Sequence, residues 1–500
     1  MHSRRRVLAS TGLALAAGAA VGRVGADRSE RPRNRSTAGQ PPLRWTEVFD
    51  VSDTDSVTAA ATTDDGLLVG TGETAGEEGT VPWVFGVDAQ GDGQWQHSIP
   101  GGENPRTLDA APGHGGGAVV SGELRPDEGA NQAFLARFDE AGERQWRTRI
   151  DPPMEEAAAF GVTRAGSGYL VAGGTRDNER TEALVARVDD QGTVQWSRAV
   201  SDGGITLLYG LERAGGEEAP GQYVGCGAVR PEPTDTQTPP VEGWVAGFDG
   251  EGAKQWSASH RVESDGEPAR VGLYQDVVAT DEGYLAVGRT RPPELGGSAA
   301  WAVATDATGT RVGQLVGDVG GSAQDSRFEG VAEHDGEYVA VGSVQSDDAS
   351  GEFLYVGLDS AAGRAWETTQ AVGDSARATA VTPTADGGLY ALGTTTSDSE
   401  VGSTDSAAVV KLGGETGGTP TPTATPEPTP TPSPTPTATP EPTSTPSPTP
   451  TVTPAGVDGQ TGTPADATET TSENGPGVGV VGTLAALGAG VLSRRLSREE

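Results

Sequence analysis

The chain has 500 residues, a formal net charge of −36, 75 glycines, 35 prolines and a single cysteine, Cys226. That length exceeds one ordinary core, so several domains or one large repeat fold are expected. So acidic a surface repels phosphates and excludes nucleic acid as a partner, and one cysteine excludes an intramolecular disulfide and a cysteine-based zinc site.

The first segment, residues 1–26, opens with HSRRRVLASTGLALAAGAAVG after Met1, basic residues followed by a short Ala- and Gly-rich apolar run. This is the pattern of a secretory signal, too short to span a membrane, and Val24-Gly25-Ala26 offers a cleavage site after Ala26. Ser3-Arg4-Arg5-Arg6-Val7-Leu8 resembles the twin-arginine export pattern, which implies translocation of an already folded protein, with Arg4 and Arg5 as the signal. Residues 27–42 read as a linker, and Asn34-Arg35-Ser36 within it is a glycosylation sequon.

From residue 43 to 412 the chain repeats itself. An apolar run ending in Gly occurs seven times: GLLVGTG (66–72), GGAVVSG (116–122), GYLVAGG (168–174), QYVGCG (222–227), GYLAVG (283–288), EYVAVG (337–342) and GLYALG (388–393). A second run follows each, from WVFGVD (83–88) to AAVVKL (407–412). Both are rich in Val, Leu, Phe and Tyr and read as strands. A segment containing Trp after the second run adds a third strand, and the stretch before each Gly-ending run, such as AAAFGVTR (157–164), a fourth. Four short strands every fifty to sixty residues mark a β-propeller blade. The last unit stops at Leu412 without its Trp strand, while Leu43–Val48 (LRWTEV) is an orphan Trp strand before the first. Pairing these completes a seventh blade and removes the exposed edges of an open array. The fold class is therefore all-β, a seven-bladed propeller whose N-terminal strand closes the last blade.

Residues 413–475 form a stalk, dominated by TPTPTATPEPTPTPSPTPTATPEP and its continuation. Proline at every second or third place forbids helix and favours an extended rod at about 3.1 Å per residue, on the order of 100 Å in all. Its Thr and Ser suit O-glycosylation. Residues 476–500 hold an apolar run, Val478–Leu492, followed by Arg494-Arg495; it reads as a hydrophobic helix in the membrane, with the arginines on the cytoplasmic side.

The linker between the second run and the Trp strand has its own signature: Asp88, Asp139, Asp189 and Asp249 are each followed three residues on by Gly (Gly192 in the third) and four further by Trp95, Trp146, Trp196 and Trp256. Asp306 leads to Gly313 where Trp is expected, and Asp359-Ser-Ala-Ala-Gly363 reads as a longer turn before Trp366. The pattern resembles the repeat of propellers related to pyrroloquinoline-quinone enzymes and outer-membrane assembly lipoproteins, Asp-x-x-Thr-Gly-x-x-x-Trp, here one residue shorter and without the Thr. The resemblance implies that the Trp packs between neighbouring blades. Pro476-Gly477 before the apolar tail resembles the C-terminal sorting signal of archaeal surface proteins, with Val478 where that family has Phe; it implies a tail clipped by an archaeosortase and replaced by lipid. Lys254 and Lys411 are the only lysines, which together with the acidic excess resembles proteins of haloarchaea. Concentrated salt shortens the Debye length to about 3 Å at 1 M and silences the self-repulsion.

The Asp–Gly turn lacks the six to eight oxygens of a calcium site and needs only Asp at the first position of a type I turn with Gly in the left-handed slot. Asp50, Asp53 and Asp55 lack the Gly and distal Glu of an EF-hand. One cysteine cannot supply the vicinal pair of quinone dehydrogenases; Cys226 occupies an Ala-like core position; His97, His114, His260 and His334 follow no metal spacing; and no nucleophile elbow appears. No cofactor is expected beyond unspecific cations. Polar residues on the strands nearest the axis, Arg106, Tyr209, Asp276, Arg327, Glu329 and Arg377, are the candidate ligand-binding set, since propellers place function at the channel mouth. The reading is a monomeric, exported, membrane-tethered propeller that binds a surface protein or glycan without catalysis. An extracellular enzyme, glycan-active or quinoprotein-like, and a structural envelope component are the alternatives.

Overall fold

The repeated alternation of apolar and polar residues is realised, in a computed structural model of the chain, as seven four-stranded antiparallel blades, the last joined by a further short strand. The structure describes residues 24–25 and 39–414, apart from 50–51, 53, 77–78, 100–104, 126–128, 215–221, 233–238, 265, 296, 318, 321–324, 346–349 and 400–401. Arg4, Arg5, Asn34, nearly all of the Thr/Pro stalk and the C-terminal apolar run lie outside the described residues. Among those described, no helix is long and apolar enough to cross a membrane.

Within the first six blades the strands run in chain order from axis to rim, and in the seventh the N-terminal strand Leu43–Phe49 takes the rim. The innermost are Ser56–Thr62, Pro105–Pro112, Glu156–Ala165, Ile205–Arg213, Gly272–Ala279, Asp325–His334 and Ser375–Pro383. Each touches the innermost strands of both neighbouring blades, and the seventh touches the first. The ring is closed as the sequence predicts: Leu43–Phe49 lies antiparallel beside Gly402–Gly413, with Leu43 opposite Leu412 and Val48 opposite Ala408. Thr379 Oγ1 donates to Val57 O at 2.9 Å, and Gly413 N donates to Pro42 O at 2.8 Å, so the seam is bonded at both axis and rim. A two-residue strand, Val24–Gly25, adds to the outer edge of Leu43–Phe49.

Burial follows strand position. Second strands such as Ala118–Leu124 are buried along their whole length, whereas Ser56–Thr62 alternates between buried and partly exposed. The innermost strands therefore give one face to the interblade core and one to the axial channel. Seven apolar clusters among the described residues each combine side chains from two adjacent blades, as Phe328, Leu354 and Val356 do with Leu285, Val287 and Ala302. Adhesion between blades, rather than a core within each, holds the ring together.

The meander fixes two unlike faces. Tight turns joining first to second and third to fourth strands share one end. The loops between second and third strands, and the links from blade to blade, share the other. On this loop face two parallel bridges, Thr54 to Asp405 and Val241 to Val271, tie links to loops.

Candidate functional site

Every innermost strand slips register at the same place. The bulged residues are Thr58, Leu108, Phe160, Tyr209, Gln275, Glu329 and Thr379. A bulge bends its strand and re-aims one side chain, and all seven residues are partly exposed. They form a ring around the axis: the Phe160 and Tyr209 rings lie 5.6 Å apart, and Gln275 Nε2 donates to Glu329 Oε2 at 3.0 Å. Leu108, Phe160 and Tyr209 make one arc apolar, while Gln275, Glu329, Thr379 and Thr58 make the rest polar.

The residue after each bulge is Ala or Gly in five blades and Asp in two, Asp109 and Asp276. Asp109 Oδ2 accepts the N–H of Val162 from the next blade at 2.8 Å, and Asp276 Oδ2 accepts that of Val331 at 2.9 Å. Both carboxylates are clamps between neighbouring innermost strands. Burial pushes Asp109 up to about 7 and Asp276 up to about 6, and it raises nearby Glu212 to about 7, with repulsion from Asp276 adding to the shifts of the other two. Asp276 is thus engaged by the backbone, and Asp109, which is not among the candidates from sequence, has the same task.

Two residues before the bulge, towards the loop face, the innermost strands carry Arg106, Arg327 and Arg377, with Ala158 and Leu207 at this level in blades 3 and 4. Their cross-strand neighbours on the second strands are Glu123 opposite Arg106, Arg289 opposite Leu273 and Ser343 opposite Arg327. Arg106 is bound to Glu73, Nε to Oε1 at 2.6 Å, beside the buried Glu123 that also pairs with Arg125. Arg327 Nε lies 3.3 Å from Glu329 Oε1 and donates to Ser343 Oγ at 3.2 Å. Arg289 and Arg377 sit close enough to this pair for their charges to interact with both its members and with each other. Burial pushes both guanidiniums down, and like charges in the cluster add to it. Burial also raises Tyr209 to about 12, opposed by Arg289 beside it.

The mouth is therefore two-sided. Blades 3 and 4 give an apolar wall of the partly exposed Phe160 and Tyr209, with Leu207 buried against Gly174. Blades 5 to 7 give a cationic wall of Arg289, Arg327 and Arg377. Of the six residues expected from sequence, Arg327, Glu329 and Arg377 are brought together, Tyr209 adjoins them, Asp276 lies deeper, and Arg106 sits in a separate ion-pair group. Arg289 was missed because it is on a second strand. Its signal was present, however: it directly follows the Gly of the repeated run, a position held by Glu73, Glu123, Ala228, Ser343 and Thr394 in other blades and, after Gly173, by Gly174 in blade 3.

The Asp–Gly–Trp repeat is bonded as a fastener. In blade 3, Asp189 Oδ1 accepts the backbone N–H groups of Gln191 and Thr193, and its Oδ2 accepts Gln195 Nε2 at 2.9 Å. Asp88, Asp139 and Asp249 repeat this set with Gln94, Gln145 and Gln255. Gly192 has φ +82°, and Trp146 of the preceding blade lies on it and donates to Asp190 O at 3.1 Å. Trp95, Trp196 and Trp256 meet Gly142, Gly252 and Gly309 in the same way. The Asp359 turn differs from expectation. It is no longer than the others, because Ala362 takes the left-handed slot with φ 62°, and Gly363 follows it. The preceding blade explains the change: its outer strand has Gly313 instead of Trp, and Ala361 O occupies the space.

Several polar groups elsewhere are committed to structure. Asp55 accepts bonds from Ser52 and Thr74, while Asp50 and Asp53 lie outside the described residues. His260 bridges Tyr274 Oη and Gly309 O, both at 2.9 Å. His114 Nε2 meets Gly168 O at 3.0 Å. Cys226 is fully buried, and burial pushes its thiol well up. Among the described residues no three His, Cys, Asp or Glu side chains are grouped to hold a metal ion.

No family model matches the chain, and no curated protein sequence matches it. Solved structures similar to it include Sqt1 of Chaetomium thermophilum bound to the N-terminus of the ribosomal protein L10, at 12% identity, over 74% of this chain and 98% of that one, with a TM-score of 0.40. The hemagglutinin-neuraminidase ectodomain of parainfluenza virus 5 is similar at 7% identity, over 77% and 84% of the two chains, with a TM-score of 0.35.

Proposed function

We propose that this chain is exported and displays a non-catalytic propeller at the surface of a halophilic archaeon, where it binds a surface protein or glycan. The Thr/Pro stalk holds the propeller away from the membrane, and the C-terminal apolar segment or a lipid that replaces it supplies the anchor. One observation carries the binding role: the sevenfold repeat breaks its symmetry at the loop-face mouth, where Arg289, Arg327 and Arg377 face the apolar side chains of blades 3 and 4. Fold alone assigns no function, but Arg289 and Arg377 have no hydrogen-bond or ion-pair partner among the described residues, a cost to stability that a bound anion would offset. The turns and tryptophans, by contrast, repeat from blade to blade and serve the ring.

Two measurements test this reading. Protease added to intact cells should remove the propeller, and a chain ending at residue 414 should appear in the medium. The purified chain should bind envelope material without altering it; turnover of a glycan panel, or a quinone absorbance in the purified protein, would replace binding by catalysis.

A further inference from the structure

The channel mouth described above defines a ligand more narrowly than a surface protein or glycan. Among the described residues, the side chains of Arg289 and Arg377 have no hydrogen-bond or ion-pair partner, although both are partly buried. Arg327 is already held by Glu329 and Ser343. The cluster thus offers two unsatisfied guanidiniums on either side of a neutralised pair. A guanidinium recognises planar oxyanions through parallel N–H donors. Glu329, fixed between Arg327 and Gln275, opposes a second negative charge on the ligand and so favours a carboxylate over a phosphate. Beside Arg289 stands Tyr209, and Phe160 lies next to Tyr209 with ring centroids 5.6 Å apart. Leu207 and Phe160 both crowd Gly174, where a Cβ would lie 2.6 Å from Leu207 Cδ2 and 3.4 Å from Phe160 Cε2. Phe160 and Tyr209, both partly exposed and tilted 54° to each other, therefore present apolar ring surface next to the cations.

We propose that the loop-face mouth binds a carboxylate attached directly or through one carbon to a six-membered ring, its oxyanion between Arg289 and Arg377 and its ring against Phe160 and Tyr209. The proposal rests on the reading of the propeller as a binding module and specifies the chemistry of its site. Two sources offer this chemistry, a free aromatic acid and a uronic acid unit of a glycan, whose C–H face packs on aromatic rings.

The test is calorimetric titration of the full chain in concentrated KCl at fixed ionic strength, with phenylacetate and D-glucuronate as probes and 2-phenylethanol as the neutral control. At least one acid should bind and the alcohol should not. Arg289→Gln and Arg377→Gln should each weaken binding about tenfold or more, as for a lost charge-assisted bond. Phe160→Ala should weaken phenylacetate while leaving any acetate binding unchanged. Both Arg→Gln variants should melt no lower than the parent, since each removes an unpaired partly buried charge. Binding of phenylacetate alone identifies the free acid as the source, and binding of glucuronate alone identifies the sugar. Failure of both acids, or equal binding by parent and Arg variants, overturns the proposal. If envelope material still binds under those outcomes, the binding role stands and only the ligand class falls.

Discussion

Replacing Gly192 by Ala adds a methyl group at a residue with φ +82°, where the new Cβ would lie 2.8 Å from Trp146 Cδ2 and 2.8 Å from Thr148 Oγ1. A left-handed conformation costs an L-residue about 1–2 kcal/mol, and displacing the indole costs about 1–3 kcal/mol as overpacking. Gly192→Ala should therefore lose roughly 2–5 kcal/mol, read as a lower Tm by circular dichroism in concentrated KCl. The chain contains its own control between blades 5 and 6, where Gly313 replaces the Trp and Ala362 replaces the Gly. Trp146→Gly alone loses the packed ring and its bond to Asp190 O. In the Trp146→Gly/Gly192→Ala double variant the steric cost disappears and only the conformational cost remains. The double-mutant cycle should thus show a coupling of about 1–3 kcal/mol. Strict additivity would mean that ring and glycine do not meet, and would refute the account of how blades adhere.

Acidity and salt give two further expectations. Asp109, Glu212 and Asp276 have folded pKa values above their ordinary 3.8, 4.5 and 3.8, so the folded chain retains protons that the unfolded chain has lost. Their contribution is complete below about pH 4 and is lost as pH rises through about 6 to 7, so Tm should fall between about pH 5 and about pH 8. Asp109→Asn, which keeps an oxygen for the Val162 N–H and cannot ionise, should raise Tm at about pH 8 and flatten the slope; a Tm that rises over this range contradicts the burial of these groups. A net charge of −36 predicts that dilution from molar KCl to about 0.05 M lowers Tm sharply as screening is lost, and an unchanged Tm would refute the halophilic reading.

Sequence periodicity revealed the blades because each strand must alternate or be apolar throughout, and the orphan Leu43–Val48 strand (LRWTEV) revealed the closure because an unpaired edge strand is costly. The Asp–Gly–Trp fastener was legible from turn chemistry, but the role of the Gln before Trp95, Trp146, Trp196 and Trp256 was not, since its bond to the Asp depends on the outer strand folding back. The site was half legible. Arg327, Glu329 and Arg377 could be placed by strand alone, whereas the bulge decides which neighbours face the channel. Arg289 enters from a second strand otherwise filled by core residues, and only its place after the repeated Gly marks it. The clamping role of Asp109 and of Asp276, which the sequence placed among the axial ligand candidates, was not legible because the N–H groups they accept belong to the next blade, some fifty residues away.

The central claim, binding at the loop-face mouth, is tested most directly by hydrogen exchange of the full chain with and without its envelope material. Protection should concentrate at the N-terminal ends of Ile205–Arg213, Gly272–Ala279, Asp325–His334 and Ser375–Pro383 and in the adjoining loops. Protection confined to the Asp–Gly turns and the outer Trp strands would contradict it.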